Sequence, residues 1–338
     1  MRDRLLPAPR VTEADAPILV RPAATRAEQV AALTLLLADT SAPDDLPADV
    51  EQVVALHAQG ELSLDGLLIA ADGPSVVLGT TLVTPGAGGA ADLFPPRFAR
   101  SLSAPAASSA ATALLSAAGE FAVAAGCDRL QAFADPVRTD DAAQFAAARF
   151  DRIAELRLLR RDCSRPLGSY AAPWDSLRTL APESERLFRE TTRESYAGSR
   201  DAPDARGADA DADFAAHQAA AGFRPDLCRL ALRDGEALGL VLISASGEGA
   251  AAEWDVCYLG VSPAQRGRGV GRALLRDRLA AARDAGAAAV TCVVDAANEP
   301  AHRLYVAAGF VETGSRVLFL KRLEPEASAG WKEPRSGG

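Results

Sequence analysis

The chain repeats itself. Leu67–Val83 reads as an apolar run, an Asp72-Gly73 turn and a second apolar run, and Arg229–Ile243 has the same layout around Asp234-Gly235. Asp-Gly between apolar runs signals a hairpin, because both turn residues accept positive φ. Farther on, the correspondence runs without gaps at a separation of 160 residues. Ala113-Leu-Leu to Ala125-Gly126 falls on Ala273-Leu-Leu to Ala285-Gly286, Asp135 on Asp295, Phe145 on Tyr305 and Phe150 on Phe310. A period of that length is the size of a domain, so the fold must be something built twice on one plan. The join is expected near Arg165–Pro173, where Pro166, Gly168 and Pro173 gather.

Each half opens on a helical pattern (Ala24–Leu37, Pro182–Tyr196). The hairpin follows, then a further strand, a helix, a strand, a helix and a last strand. That order implies an α/β (α+β) fold, a mixed twisted sheet flanked by helices in each half. The expected domains are 1–168 and 169–323, followed by a polar tail over 324–338 that is rich in Pro and Gly and reads as disordered. A loop is expected at Asp201–Asp213.

Composition removes several function classes. The net charge is −9 and no basic run occurs, which argues against nucleic acid as a partner. Arg266, Arg268, Arg272 and Arg276 are a local exception. The five cysteines (Cys127, Cys163, Cys228, Cys257, Cys292) are scattered, with no C-x-x-C pair. A disulfide framework or structural zinc is therefore not expected. His57, His217 and His302 show no metal spacing and read as surface or satisfied side chains. The N-terminus does not read as a secretory signal, and no run is expected to reach the ~18 apolar residues of a membrane span. A cytoplasmic protein without a membrane partner is expected.

Two segments carry chemistry. Val256–Val261 reads as a strand that Pro263 ends. Arg266-Gly-Arg-Gly-Val-Gly271 follows and leads into a helix from about Val270 to Ala285, with Gly286 as its stop. Glycines let the backbone approach an anion, and the first helical turn offers unpaired N–H groups at the positive end of the dipole. A diphosphate suits that place. The spacing is neither G-x-G-x-x-G nor a P-loop. In the second segment Thr291–Asp295 is a strand and Asn298 an N-cap, with Pro300 in the first turn. Ala301, Leu304, Tyr305 and Ala308 share one helical face, which turns Tyr305 toward core or cleft.

The pattern Val261-x-Pro263-x-x-Arg266-Gly267-x-Gly269-x-Gly271, with Asn298, Ala301, Leu304, Tyr305, Gly309 and Phe310 downstream, resembles the acetyl-coenzyme A site of the GNAT superfamily of N-acyltransferases. The resemblance implies direct attack of an amine on an acetyl thioester, with acetyl-CoA as donor and no metal. It implies a cofactor site of Leu259, Gly260, Val261, Arg266, Gly267, Arg268, Gly269, Val270, Gly271, Arg272, Asn298, Ala301 and Leu304, in which backbone N–H groups of Leu259 and Val261 hold the pantetheine arm and the oxyanion. Tyr305 is then the acid for the leaving thiolate. For the base, Glu253 and Asp255 share a sheet face by alternation, although a bulge would flip the parity. Asp295 is a third candidate, for which a turn or capping role is the better reading. The acceptor wall is expected on Phe188–Pro203, with Thr192, Tyr196, Ser199 and Asp201 as readers of a small amine.

The first half departs from this pattern where chemistry should lie. Arg266, Gly267, Gly269 and Gly271 fall on Ala106, Ala107, Ser109 and Ala111, Tyr305 on Phe145, and Gly309 on Arg149. It reads as a diverged copy that keeps the fold without the site. The layout is similar to two-domain members of the superfamily and does not set the acceptor. Two other readings stay open: an acyl-CoA-binding sensor with little turnover, and an acetyltransferase for a protein N-terminus or lysine.

Overall fold

The computed structural model describes residues 18–73, 76–169, 171–200, 210–247 and 249–324. Most of the expected disordered tail, and Asp201 with most of the expected loop, lie outside the described residues. The chain forms two compact units. The described residues of Met1–Thr84 and Phe94–Phe121 make one, and Pro85–Leu93 with the described part of Ala122–Gly338 makes the other.

In chain order the elements are β1 (Leu19–Pro22), α1 (Arg26–Leu37), α2 (Leu46–Ala58), β2 (Leu67–Asp72), β3 (Val76–Pro85), β4 (Ala90–Leu93), β5 (Arg97–Phe98) and α3 (Ala104–Ala124). Then follow β6 (Arg129–Ala134), α4 (Thr139–Ala147), β7 (Asp151–Asp162), β8 (Ser176–Thr179), α5 (Glu185–Tyr196), α6 (Ala210–Ala219), β9 (Arg229–Arg233) and β10 (Glu236–Ser246). Last come β11 (Glu253–Val261), α7 (Val270–Asp284), β12 (Ala289–Asp295), α8 (Glu299–Ala307) and β13 (Val311–Arg322). Local chemistry accounts for many of the boundaries. Thr25 and Glu28 close a reciprocal capping box on α1. Asp234 and Gly235 both take positive φ between β9 and β10, as a two-residue hairpin turn requires. The expected loop ends early, because residues 210–213 already form the first turn of α6.

In the first unit β1, β2 and β3 pair antiparallel, with β5 on β3. Ala32, Leu33 and Leu36 of α1 and Val50 and Val54 of α2 pack with Leu67 and Ile69 of β2.

The second unit shows why the compact units do not divide the chain where the repeat does. Its strands run β4-β6-β13-β7-β12-β11-β10-β9-β8. At the repeat offset β6 corresponds to β12 and β7 to β13, yet β7 pairs with β12 and β13 pairs with β6. Each half gives its last strand to the other half's sheet, and the two exchanged strands also pair with each other.

Local geometry keeps the repeat. The Cys127 N–H donates to the Ala122 carbonyl at 2.9 Å, and its counterpart Ala287 to Ala282 at 3.0 Å. The Asp135 carboxylate accepts from the Val137 N–H at 3.0 Å, and Asp295 from Ala297 at 2.8 Å. Phe145 lies 5.1 Å from Phe150, and Tyr305 lies 5.3 Å from Phe310.

The expectation about membrane spans needs correction. Among the described residues α3 is long and apolar enough for one, with a mean hydropathy of 1.2. Alanine supplies much of its length. Ala110, Ala111, Leu114, Leu115, Ala118 and Ala122 form a stripe exposed by at most 2%, as on a helix packed into a core.

Candidate active site

β11 pairs with β10 along its whole length but runs beside β12 only from Glu253 to Val256. Beyond Val256 the two strands part. The Ser262 N–H donates to the Leu238 carbonyl on the β10 side, at 3.0 Å. Alternation along an extended strand then turns the N–H groups of Val261 and Leu259 to the opposite edge, the one β12 has left.

The opening is a cleft of about 610 Å³. One wall is Val256–Val261 and the other Val293 and Val294 of β12. Gln265, Arg266, Gly267, Gly269, Val270, Gly271 and Arg272 form one end. Asn298, Pro300, Ala301, Leu304 and Tyr305 come from α8, and Ser195, Gly198, Ser199 and Arg200 from the end of α5 and the turn after it. Apart from Arg268, every residue expected in the cofactor site lines this cleft.

At the turn, Gly267 and Gly269 have φ of +75° and +81°, and Gly269 is the N-cap of α7. A Cβ at Gly269 would meet nothing within 4 Å, so the backbone there is open to a ligand. The arginines divide. Arg272 lines the cleft, while Arg268 is exposed and does not. Arg266 lines it too, but its Nη2 donates to the Ser195 carbonyl at 2.7 Å, its Nη1 to that of Gly198 at 3.4 Å and its Nε to that of Val261 at 3.3 Å. Its side chain ties the end of α5 to the end of β11 while still lining the cleft.

On α8 the Asn298 side chain accepts from the Ala301 N–H at 3.3 Å, the capping bond expected. Tyr305 is 6% exposed, lines the cleft and packs edge-on against Phe310. Asp295 holds the preceding turn through the Ala297 N–H. His302 sits 3.3 Å from Arg157, and the His217 ring 5.7 Å from that of Tyr258.

A bulge interrupts the alternation of β11. Leu242 pairs with Tyr258 and Ile243 with Val256, leaving Cys257 as an extra residue on β11. Trp254 and Val256 pack into the core under α7, where Leu259 and Val261 also pack, whereas Tyr258 joins Phe188 and Phe214 of α5 and α6 on the opposite face. Cys257 packs on that opposite face as well. Glu253 and Asp255 therefore share the α5–α6 face with the cleft-lining Cys257 and Tyr258, though neither carboxylate lines the cleft itself. Glu253 is ion-paired to Arg160 at 2.8 Å. Asp255 accepts from the Thr291 hydroxyl at 2.8 Å. Burial raises the Asp255 pKa above its ordinary value, with the Thr291 and Cys257 hydrogen bonds opposing that rise.

The expected acceptor wall is partly misplaced. Thr192 is fully buried, and its hydroxyl donates to the Phe188 carbonyl at 2.9 Å, so it belongs to the packed stripe of α5. Tyr196 stacks edge-on against Tyr258 at 5.4 Å and is not part of the lining. Ser199 lines the cleft. Ser195, which sequence reasoning missed, also lines it and shares a 2.7 Å hydrogen bond with the Tyr258 hydroxyl. A Cβ at Gly260 would come within 2.4 Å of Ser195 Oγ, so glycine is needed for that approach. Gln265 was missed as well. Its position in the turn was readable, but nothing in the spacing marks a glutamine there as a ligand.

A splayed strand pair, a glycine turn opening a helix and a tyrosine on the next helix meet in one cleft, the arrangement that the GNAT resemblance implies. Residues 186–310 match the model of the acetyltransferase (GNAT) family, and the chain carries a domain of that family. It is 34% identical over 194 residues to a mycothiol acetyltransferase of Acidothermus cellulolyticus, covering 53% of this chain and 58% of that protein. It is 36% identical over 107 residues to one of Thermomonospora curvata, covering 32% and 35%. The chain thus matches little more than half the length of the first of these relatives. In fold it is similar to a GCN5-related N-acetyltransferase from Sphaerobacter thermophilus (TM-score 0.63, 18% identity, 91% of this chain and 96% of that one). It is also similar to a tandem GNAT protein from the clavulanic acid biosynthesis pathway (TM-score 0.54, 20% identity, 91% and 99%). At those identities the likeness is one of fold, a mixed α/β tandem GNAT architecture.

Proposed function

We propose that this chain is an acetyl-CoA-dependent N-acetyltransferase acting on the amine of a small molecule. The observation that carries this reading is the convergence, in one cleft, of the free edge of β11, the first turn of α7 and Tyr305. The α7 turn, with Arg272, suits the diphosphate. The Leu259 and Val261 amides suit the pantetheine arm and the oxyanion. Asp255, set back from the cleft, takes a proton from the attacking ammonium through water. As the new C–N bond forms and the C–S bond breaks, Tyr305 gives its proton to the departing sulfur.

The names of the curated relatives support a mycothiol-related amine as the first acceptor to test. We take the setting to be cytoplasmic, as expected for five scattered cysteines without a C-x-x-C pair. We take the repeats as residues 1–168 and 169–323. The first is a diverged copy, since Phe145 keeps the ring of Tyr305 without its hydroxyl.

The test is acetyl-CoA turnover by the full chain across a panel of amines, read as thiol release, in wild type and Tyr305→Phe. Amine-dependent release, with kcat lowered roughly 10- to 1000-fold in the variant and acetyl-CoA affinity retained, supports the reading. Unchanged kcat removes Tyr305 from the acid role. Tight acetyl-CoA binding with no amine-dependent release makes the protein a binding module instead.

A further inference from the structure

Arg161, on β7 of the first repeat, is the largest fully buried side chain among the described residues, at 1% exposure. All four of its hydrogen bonds go to main-chain carbonyls. Nη1 donates to Asp162 at 3.0 Å, and Nη2 to Arg165 at 2.8 Å and Pro166 at 3.1 Å. Nε donates to Ala308 at 2.8 Å, and Ala308 is the C-cap of α8. Arg165 adds a bond from Nη1 to the Gly309 carbonyl at 2.7 Å. Two cations from the first repeat thus cap the end of the helix that carries Tyr305. The last helical carbonyls lack intrahelical donors, and the dipole there is negative. The link to the tyrosine is short, because the Ala308 and Phe310 N–H groups both donate to the Tyr305 carbonyl.

A second observation is the asymmetry. At the repeat offset the counterpart of Arg161 is Lys321, and its ammonium lies 5.7 Å from the Phe150 ring centroid. The counterpart of Gly309 is Arg149. A Cβ at Gly309 would sit 3.4 Å from Arg161 Nε, so glycine leaves room for the guanidinium. The buried arginine is matched to the tyrosine-bearing helix and absent from its phenylalanine-bearing copy.

We propose that Arg161 is a positioning residue: reaching across the strand exchange, it fixes the end of α8 and thereby the depth at which the Tyr305 hydroxyl enters the cleft. The first repeat is then part of the catalytic apparatus through one side chain. This rests on the reading of Tyr305 as the acid.

The experiment is a double-mutant cycle in the full chain, Arg161→Lys crossed with Tyr305→Phe, with acetyl-CoA affinity and kcat measured in each. Arg161→Lys is expected to lower kcat about tenfold with acetyl-CoA affinity within about twofold, and to change kcat less than about twofold once the hydroxyl is gone. Equal losses in both backgrounds, or a parallel loss of acetyl-CoA affinity, overturn the positioning role while leaving the acid reading intact. Unchanged kcat in Tyr305→Phe alone overturns both. If Arg161→Lys does not fold, the exposed Arg165→Ala takes its place in the cycle. Its expected effect is about threefold, again only with the hydroxyl present.

Discussion

Gly269→Glu isolates the electrostatic part of cofactor binding. Gly269 lines the cleft at the N-cap of α7 with φ +81°, and a Cβ there meets nothing within 4 Å. The new side chain would enter open cleft, so the fold loses only the cost of an L-residue in the left-handed region, about 1–2 kcal/mol. A carboxylate about 4 Å from a bound diphosphate is repelled by about 4 kcal/mol per unit charge at an effective dielectric near 20. Solvent and salt at an open cleft reduce that to roughly 2–4 kcal/mol. At about 1.4 kcal/mol per decade, acetyl-CoA binding should weaken roughly 30- to 1000-fold. Gly269→Gln carries the same backbone strain and nearly the same bulk without the charge. The assay is calorimetric titration of acetyl-CoA into wild type and both variants, at about 50 and 300 mM salt. Wild type should bind one equivalent per chain, and the gap between the Glu and Gln variants should narrow at high salt. Wild-type affinity in Gly269→Glu would refute a diphosphate at this turn. Equal, salt-independent losses in both variants would refute the electrostatic account. Two equivalents in wild type would refute the diverged-copy reading of the first repeat.

Phe145 is fully buried, with Phe150 and Phe319 each at 5.1 Å, so Phe145→Ala should cost about 3–5 kcal/mol in denaturant unfolding. A loss below about 1 kcal/mol would mean the ring is not part of a packed core. Arg149 holds φ +61° at the position where the second repeat has Gly309. Arg149→Gly should therefore raise stability by about 0.5–1.5 kcal/mol, and an unchanged denaturant midpoint would show that no strain is stored there. Because burial raises the Asp255 pKa, the acid limb of kcat/KM should lie above the ordinary carboxylate value of 3.8, and Asp255→Asn should flatten it. The same shift has a stability sign: its contribution is complete below the unfolded-state pKa and is lost as pH rises through the raised folded-state value. Asp255→Asn should remove that slope, and parallel stability curves for variant and wild type would contradict the shift.

Much of this protein was legible because it is local. The Asp234-Gly235 turn, the Asn298 cap, the glycine stops after α7 and α8 and the positive-φ glycines of the anion turn each depend on contacts within a few residues. The acceptor wall was less legible. Thr192 and Ser195 lie on one helix and are similarly polar, but only Ser195 reaches the cleft, because its neighbour across the gap is Gly260. The place of Arg266 in the turn was legible, but its bond to the Ser195 carbonyl was not, since Ser195 lies 71 residues away in sequence.

The sequence by itself determined that one α/β plan is used twice, that only the second copy keeps the glycine turn and the tyrosine, and where those lie on strand and helix. Periodicity, caps and turns encode these features over short separations. Only the tertiary structure decided which sheet receives each last strand, which face the β11 carboxylates share with the cleft, and that Arg161 of the first copy caps the helix of the second. β7 and β13 both read as last strands, so pattern alone does not choose between β6 and β12 as partner. The one-residue bulge at Cys257 changes no composition but reverses the facing of every residue beyond it. A buried guanidinium finds its carbonyls by packing, and no spacing in the chain records which ones they are.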